Sequence, residues 1–65
     1  MKELIKALKE YGTPVLDRYK IGCLEINTLG YVFNTAPAHF VGHINTVEEL
    51  EGVVQHYTDK KLSEV

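Results

Sequence analysis

The middle of the chain lacks charged side chains over a long stretch. Residues 26–47, which number 22, contain no Asp, Glu, Lys or Arg, although these four types make up 25% of the 65 residues. A solvated surface segment usually carries charge. The stretch therefore predicts a central sheet that is covered on much of both faces, or that offers a face or an edge to another chain.

The length of the chain limits it to one domain, residues 1–65. Domains of this size bury only about 60% of the surface that the unfolded chain exposes, so many depend on disulfides, metals or a second copy. Cys23 is the only cysteine, which excludes a disulfide within the chain. A lone thiol is typical of a reducing compartment, and we expect a cytoplasmic protein.

A helical pattern precedes the uncharged stretch. Leu4, Ile5, Leu8 and Tyr11 fall at helical spacing, and Gly12 follows as a stop signal. The pattern predicts a first helix over about residues 2 to 11.

A second helical pattern follows the uncharged stretch. Thr46 and Glu49 have the spacing of a capping box, and acidic residues fill the first turns that follow, where they match the helix dipole. The pattern predicts a helix over about residues 47 to 57. Its apolar stripe consists of Val47, Leu50, Val53, Val54 and Tyr57.

The residues between the two helices have strand character. Apolar and β-branched side chains recur over residues 19–26 and end in the turn sequence NTLG, and residues 31–35 alternate in the same way. Pro37 is expected at an edge, a bulge or a crossing between strands. The chain therefore predicts an α+β fold: an N-terminal helix, two or three antiparallel strands, and a C-terminal helix packed on one sheet face.

Residues 35–43, which contain two histidines four positions apart, are compatible with a strand or with a short helix. In a strand, His39, Val41 and His43 share one face, and the histidines lie about 13 Å apart, too far to bind one metal ion. In a short helix, His39 and His43 lie within chelating distance. The β-propensities of Phe, Val and Ile favour the strand.

The sequence contains no strong signature of catalysis or of metal binding. Cys23, His39 and His43 could form a small metal-binding module, which is the alternative function. A structural zinc site needs four ligands, however, and neither CxxC nor HExxH spacing occurs. Cys23 could pair with a histidine as a nucleophile, but no Asn or Asp arrangement marks an orienting third residue. We therefore expect neither an enzyme nor a cofactor.

The charge balance narrows the class of partner. Seven Lys and Arg against nine Asp and Glu leave a net charge of −2 without a basic stripe, so nucleic acid is not expected. No apolar run approaches the length of a membrane span. We expect a small cytosolic regulatory or inhibitory protein-binding module that acts through residues 26–47 and self-associates as a homodimer. The predicted partner-binding residues are Tyr31, Phe33, Asn34, Thr35, His39, Val41 and His43.

Overall fold

A computed structural model describes residues 2–65 as a five-stranded antiparallel sheet with two helices. The strands lie in chain order, and each pairs with the next. The elements are α1 (Lys2–Tyr11), β1 (Thr13–Val15), β2 (Arg18–Ile21), β3 (Leu24–Asn27), β4 (Tyr31–Thr35), β5 (Ala38–His43), α2 (Val47–Thr58) and a 3-10 turn (Leu62–Glu64).

The predicted α+β order is confirmed, but the predicted number of strands is wrong. The run over residues 19–26 forms two strands, because the chain reverses at Gly22 and pairs Ile21 with Leu24. Gly22 has a φ of 61°, a conformation that glycine adopts without steric cost. The other unpredicted strand is β1, whose Pro14 is unusual in strands and lowers the strand propensity of this segment. Because β1 lies at the edge of the sheet, the missing amide hydrogen of Pro14 is tolerated.

The hydrophobic core lies on one face of the sheet. Alternate residues of the inner strands point into it, and both helices bury their apolar stripes against the same cluster. The buried residues are Leu4, Ala7, Leu8, Ile21, Leu24, Ile26, Val32, Ile44, Leu50, Val54 and Leu62. Within residues 2–65 no helix covers the opposite face of the sheet.

The predicted capping box begins α2. The hydroxyl of Thr46 accepts a hydrogen bond from the amide of Glu49 at 3.1 Å. The Glu49 carboxylate accepts in turn from the amide of Asn45 at 3.0 Å, one residue before the cap. Both bonds satisfy amide groups at the helix entrance that have no acceptor within the helix. Gly52, in the middle of α2, has open space around it.

A close backbone approach fixes the connection between β3 and β4. Gly30 has a φ of 93°, and its carbonyl accepts a hydrogen bond from the amide of Ile44 at 2.8 Å. The carbonyl oxygen of Ile44 occupies the space that a Cβ atom at Gly30 would need. Only glycine fits this position, which ties the start of β4 to the end of β5.

In the described part of the chain, neither helix has the length and apolar character needed to cross a bilayer.

Candidate functional site

The sheet face that points away from the helices is the candidate site, and we call it the open face. Side chains alternate along each strand, so every second residue of the five strands belongs to it, apart from one shift in β5. Its members are Thr13, Val15, Arg18, Lys20, Glu25, Asn27, Tyr31, Phe33, Thr35, Ala38, Phe40 and His43.

Aromatic rings form a continuous cluster on the open face. The ring of Phe33 lies 5.6 Å from that of Phe40, centroid to centroid, and the ring of Tyr31 lies 6.2 Å from Phe40. His43 extends the cluster with its ring 4.7 Å from that of Tyr31. Phe40 is 57% exposed and Tyr31 is 41% exposed. Several large rings in mutual contact and facing water mark a surface that gains free energy when another molecule covers it.

The charged side chains of the open face lie to one side of this cluster. Arg18, on β2, donates from Nη1 to Oε1 of Glu25 at 3.2 Å. Its guanidinium carbon lies 4.6 Å from the centroid of the Phe33 ring, which is a cation–π contact. Lys20 is the other cation on β2, whereas β4 and β5 carry no Lys, Arg, Asp or Glu. The open face is thus cationic at β2 and aromatic at β4 and β5.

A shallow groove of about 390 Å³ borders the ion pair, the rings of Phe33 and Phe40, and the end of the hairpin formed by β4 and β5. It is large enough for one or two partner side chains, and its rim offers a guanidinium, a carboxylate and the ring faces. The groove is lined by Arg18, Glu25, Phe33, Asn34, Thr35, Ala38, His39 and Phe40.

A β-bulge separates the two histidines of β5. Asn34 pairs with His39 and Phe33 with Phe40, but Val32 then pairs with Gly42, so Val41 is an extra residue. The bulge inverts the alternation, so His39 faces the helices while His43 lies on the open face. The prediction that His39, Val41 and His43 share one face is therefore wrong, although the prediction of a strand here is correct.

The predicted partner-binding residues divide between the two faces. Tyr31, Phe33, Thr35 and His43 lie together on the open face. Asn34, His39 and Val41 lie on the helix side, where Val41 packs against the core. The structure thus separates these three from the other four.

Asn34 is among the most enclosed polar residues. It is only 6% exposed, and its Nδ2 donates to the carbonyl of Pro37 at 2.9 Å. The other end of its amide, Oδ1, has no hydrogen-bond partner within residues 2–65. A charge or a large side chain at Asn34 would therefore disturb the core before it affected a surface.

Sequence reasoning missed three residues of the site. Regular alternation places Phe40 on the face opposite the histidines, and only the bulge brings it beside Tyr31 and His43. Arg18 and Glu25 lie outside the uncharged stretch, so the absence of charge does not point to them. The register of the strands could have indicated both residues: once β2 pairs with β3, Arg18 and Glu25 face the same side of the sheet.

The candidate metal ligands are not brought together. Nε2 of His43 donates to the carbonyl of Leu29 at 2.7 Å, and Nδ1 of His39 donates to that of Pro37 at 3.1 Å, because a carbonyl can only accept. The thiol of Cys23 lies against Tyr57 beside the core. Across residues 2–65 no three His, Cys, Asp or Glu side chains are placed to hold one ion. No observation therefore favours the metal-binding alternative.

Comparisons of the chain with known protein families, with curated proteins and with solved structures found no match. The features of the described residues that bear on function are therefore the exposed rings, the paired charges and the groove of the open face.

Proposed function

We propose that this chain is a small cytosolic protein-binding module of a regulatory or inhibitory kind, and that its open face docks on a second copy of the chain. The observation that carries the proposal is the cluster of Tyr31, Phe33 and Phe40 on a sheet face that neither helix of residues 2–65 covers. Such a module acts by occupying a surface rather than by converting a substrate. Its single cysteine fits a reducing compartment.

The size of the chain supports a second copy as the occupant. A single layer of core between one sheet and two short helices leaves a domain of 65 residues with limited stability. Packing two open faces together would give four layers, with helices outside and two sheets inside, and would bury the rings of both copies.

The area required for such a dimer is available. A stable interface buries about 800 Å² on each partner. The chain exposes 4327 Å² in all, so the interface would need less than a fifth of this surface. The open face is one of the two broad faces of the molecule and can supply this fraction.

The charge distribution also permits self-association. The net charge is −2, so the repulsion between two copies is small. On the open face, Arg18 and Glu25 already neutralise each other at 3.2 Å. Burial of this face therefore does not leave an isolated carboxylate without a partner.

The molar mass in solution tests the proposal. Light scattering of the parent at high micromolar concentration should give twice the chain mass of 7.4 kDa. Phe40→Glu should restore the monomer, because it places a charge among the buried rings, whereas the exposure of Phe40 leaves the folded monomer intact. Leu16→Glu is the matched control, because Leu16 is 100% exposed in the turn between β1 and β2. This variant should remain dimeric.

Two results would overturn the proposal. One is a parent chain that stays monomeric at this concentration. The other is a Phe40→Glu variant that stays dimeric while its circular dichroism matches that of the parent, because the association would then use another surface.

A further inference from the structure

We infer that the two copies pack about a twofold axis that runs parallel to the strands between β3 and β4, so that the cations of β2 in each copy cover the rings of β5 in the other. This inference rests on the proposed self-association and specifies its geometry.

The registration of the strands aligns the open-face residues in rows across the sheet. Lys20 is opposite Glu25, Glu25 is opposite Phe33, and Phe33 is opposite Phe40. A second row starts at Arg18, opposite Asn27, and ends with Tyr31 opposite His43. Each row therefore has a cation at its β2 end and an aromatic or imidazole ring at its β5 end.

A twofold axis parallel to the strands reverses the strand order of one sheet above the other. With the axis between β3 and β4, β2 faces β5 and β3 faces β4, while positions along the strands are kept. Lys20 of one copy then lies over Phe40 of the other, and Glu25 lies over Phe33, whose ring is covered by the guanidinium of Arg18. A cation on a ring face is a favourable contact when water is excluded, and the symmetry repeats the contact.

A twofold axis perpendicular to the strands gives a less favourable arrangement. It places β2 over β2, so that Arg18 and Lys20 of the two copies meet in the interface. Arg18 keeps its own Glu25 about either axis, but about this one Lys20 loses its water beside like charges and gains no ring, which is costly. It also places β3 over β3, which brings the two Glu25 carboxylates towards each other. The two axes differ because the fold places the cations on β2 and the rings on β4 and β5: only the parallel axis brings cations over rings.

Cross-linking between differently substituted chains tests the geometry. Both chains carry Cys23→Ser, and one also carries Lys20→Cys while the other carries Phe40→Cys. Packed sheets lie about 10 Å apart, which exceeds the reach of a disulfide, so a short bis-maleimide is the suitable reagent. A mixed dimer keeps one complete Lys20–Phe40 contact, whereas a dimer of either variant alone keeps none.

The expected product is a mixed cross-linked dimer, several-fold more abundant than either cross-linked pair of identical chains, as measured by mass spectrometry. A chain with Lys6→Cys on the outside of α1, mixed with the Phe40→Cys chain, is the control and should cross-link weakly. Predominant linkage between two Lys20→Cys chains would overturn the inferred axis and support the perpendicular one.

Absence of linkage from a sample that light scattering shows to be dimeric would also overturn the inference, since the open faces would then not be in register. A monomeric mass for the Cys23→Ser parent chain, in contrast, would contradict the proposed self-association itself. The two failures are therefore distinguishable.

Discussion

The guanidinium carbon of Arg18 lies 4.6 Å from the centre of the Phe33 ring, across the strand that separates their own two strands. Glu25, on that intervening strand, accepts a hydrogen bond from the same guanidinium at 3.2 Å. The three side chains hold one another in place on the open face. Because their conformations are already restricted, covering this face costs less conformational entropy than ordering three free side chains would.

We expect Glu25→Gln to weaken self-association several-fold, because it leaves the guanidinium of Arg18 without its counter-charge in a buried interface. The free energy of unfolding of the monomer should fall by less than about 1 kcal/mol, since the ion pair is partly exposed. The dissociation constant can be measured by light scattering over a dilution series. Asp17→Asn is the control, because Asp17 lies 4.0 Å from Arg18 and is 90% exposed. Equal weakening in both variants would contradict a specific role for Glu25.

Gly30→Ala should lower the free energy of unfolding by more than about 2 kcal/mol. The added Cβ would collide with the carbonyl of Ile44, and the φ of 93° is unfavourable for alanine. Gly52→Ala should have the opposite sign and stabilise by up to about 1 kcal/mol, because nothing crowds Gly52 and alanine favours a helix. Urea denaturation measures both values. Similar midpoints for the two variants would show that Gly30 is not confined as described.

Thr46→Ala should destabilise the protein by about 1 kcal/mol, because the amide of Glu49 loses the hydroxyl that accepts its hydrogen bond. Thr46→Ser retains this hydroxyl and should lose little. Thermal or urea unfolding provides the comparison. If serine were as destabilising as alanine, the methyl group rather than the cap would explain the effect.

The phenol of Tyr11 should titrate at higher pH than an ordinary tyrosine. Its hydrogen bond to the Glu10 carboxylate and the charge of that group raise its pKa, with smaller contributions from partial burial and from Glu51. Because the folded-state pKa is raised, the associated stability is present below the ordinary pKa of about 10 and is lost as the pH rises through the folded value. In an NMR titration, Glu10→Gln should lower the pKa of Tyr11 more than Glu51→Gln. The reverse order would show that Glu51 dominates.

Local patterns in the sequence were sufficient to predict both helices and the kind of fold. The spacing of Leu4 and Leu8 predicted α1, and the pairing of Thr46 with Glu49 predicted the start of α2 within a residue. These features depend on contacts between residues three or four positions apart, which the sequence displays directly. The same local information failed at Gly22, where one apolar run hides a turn between two strands.

By itself, the sequence determined the helices, the alternating strands and the absence of charge over residues 26–47. Only the tertiary structure decided which side chains share the open face. The bulge at Val41 moves His43 to the side of Phe40 and leaves His39 on the other, and strand pairing brings Arg18 to Phe33. The physical reason is that one inserted residue inverts every later side chain of a strand, and whether it is inserted depends on how the strand pairs with its neighbour.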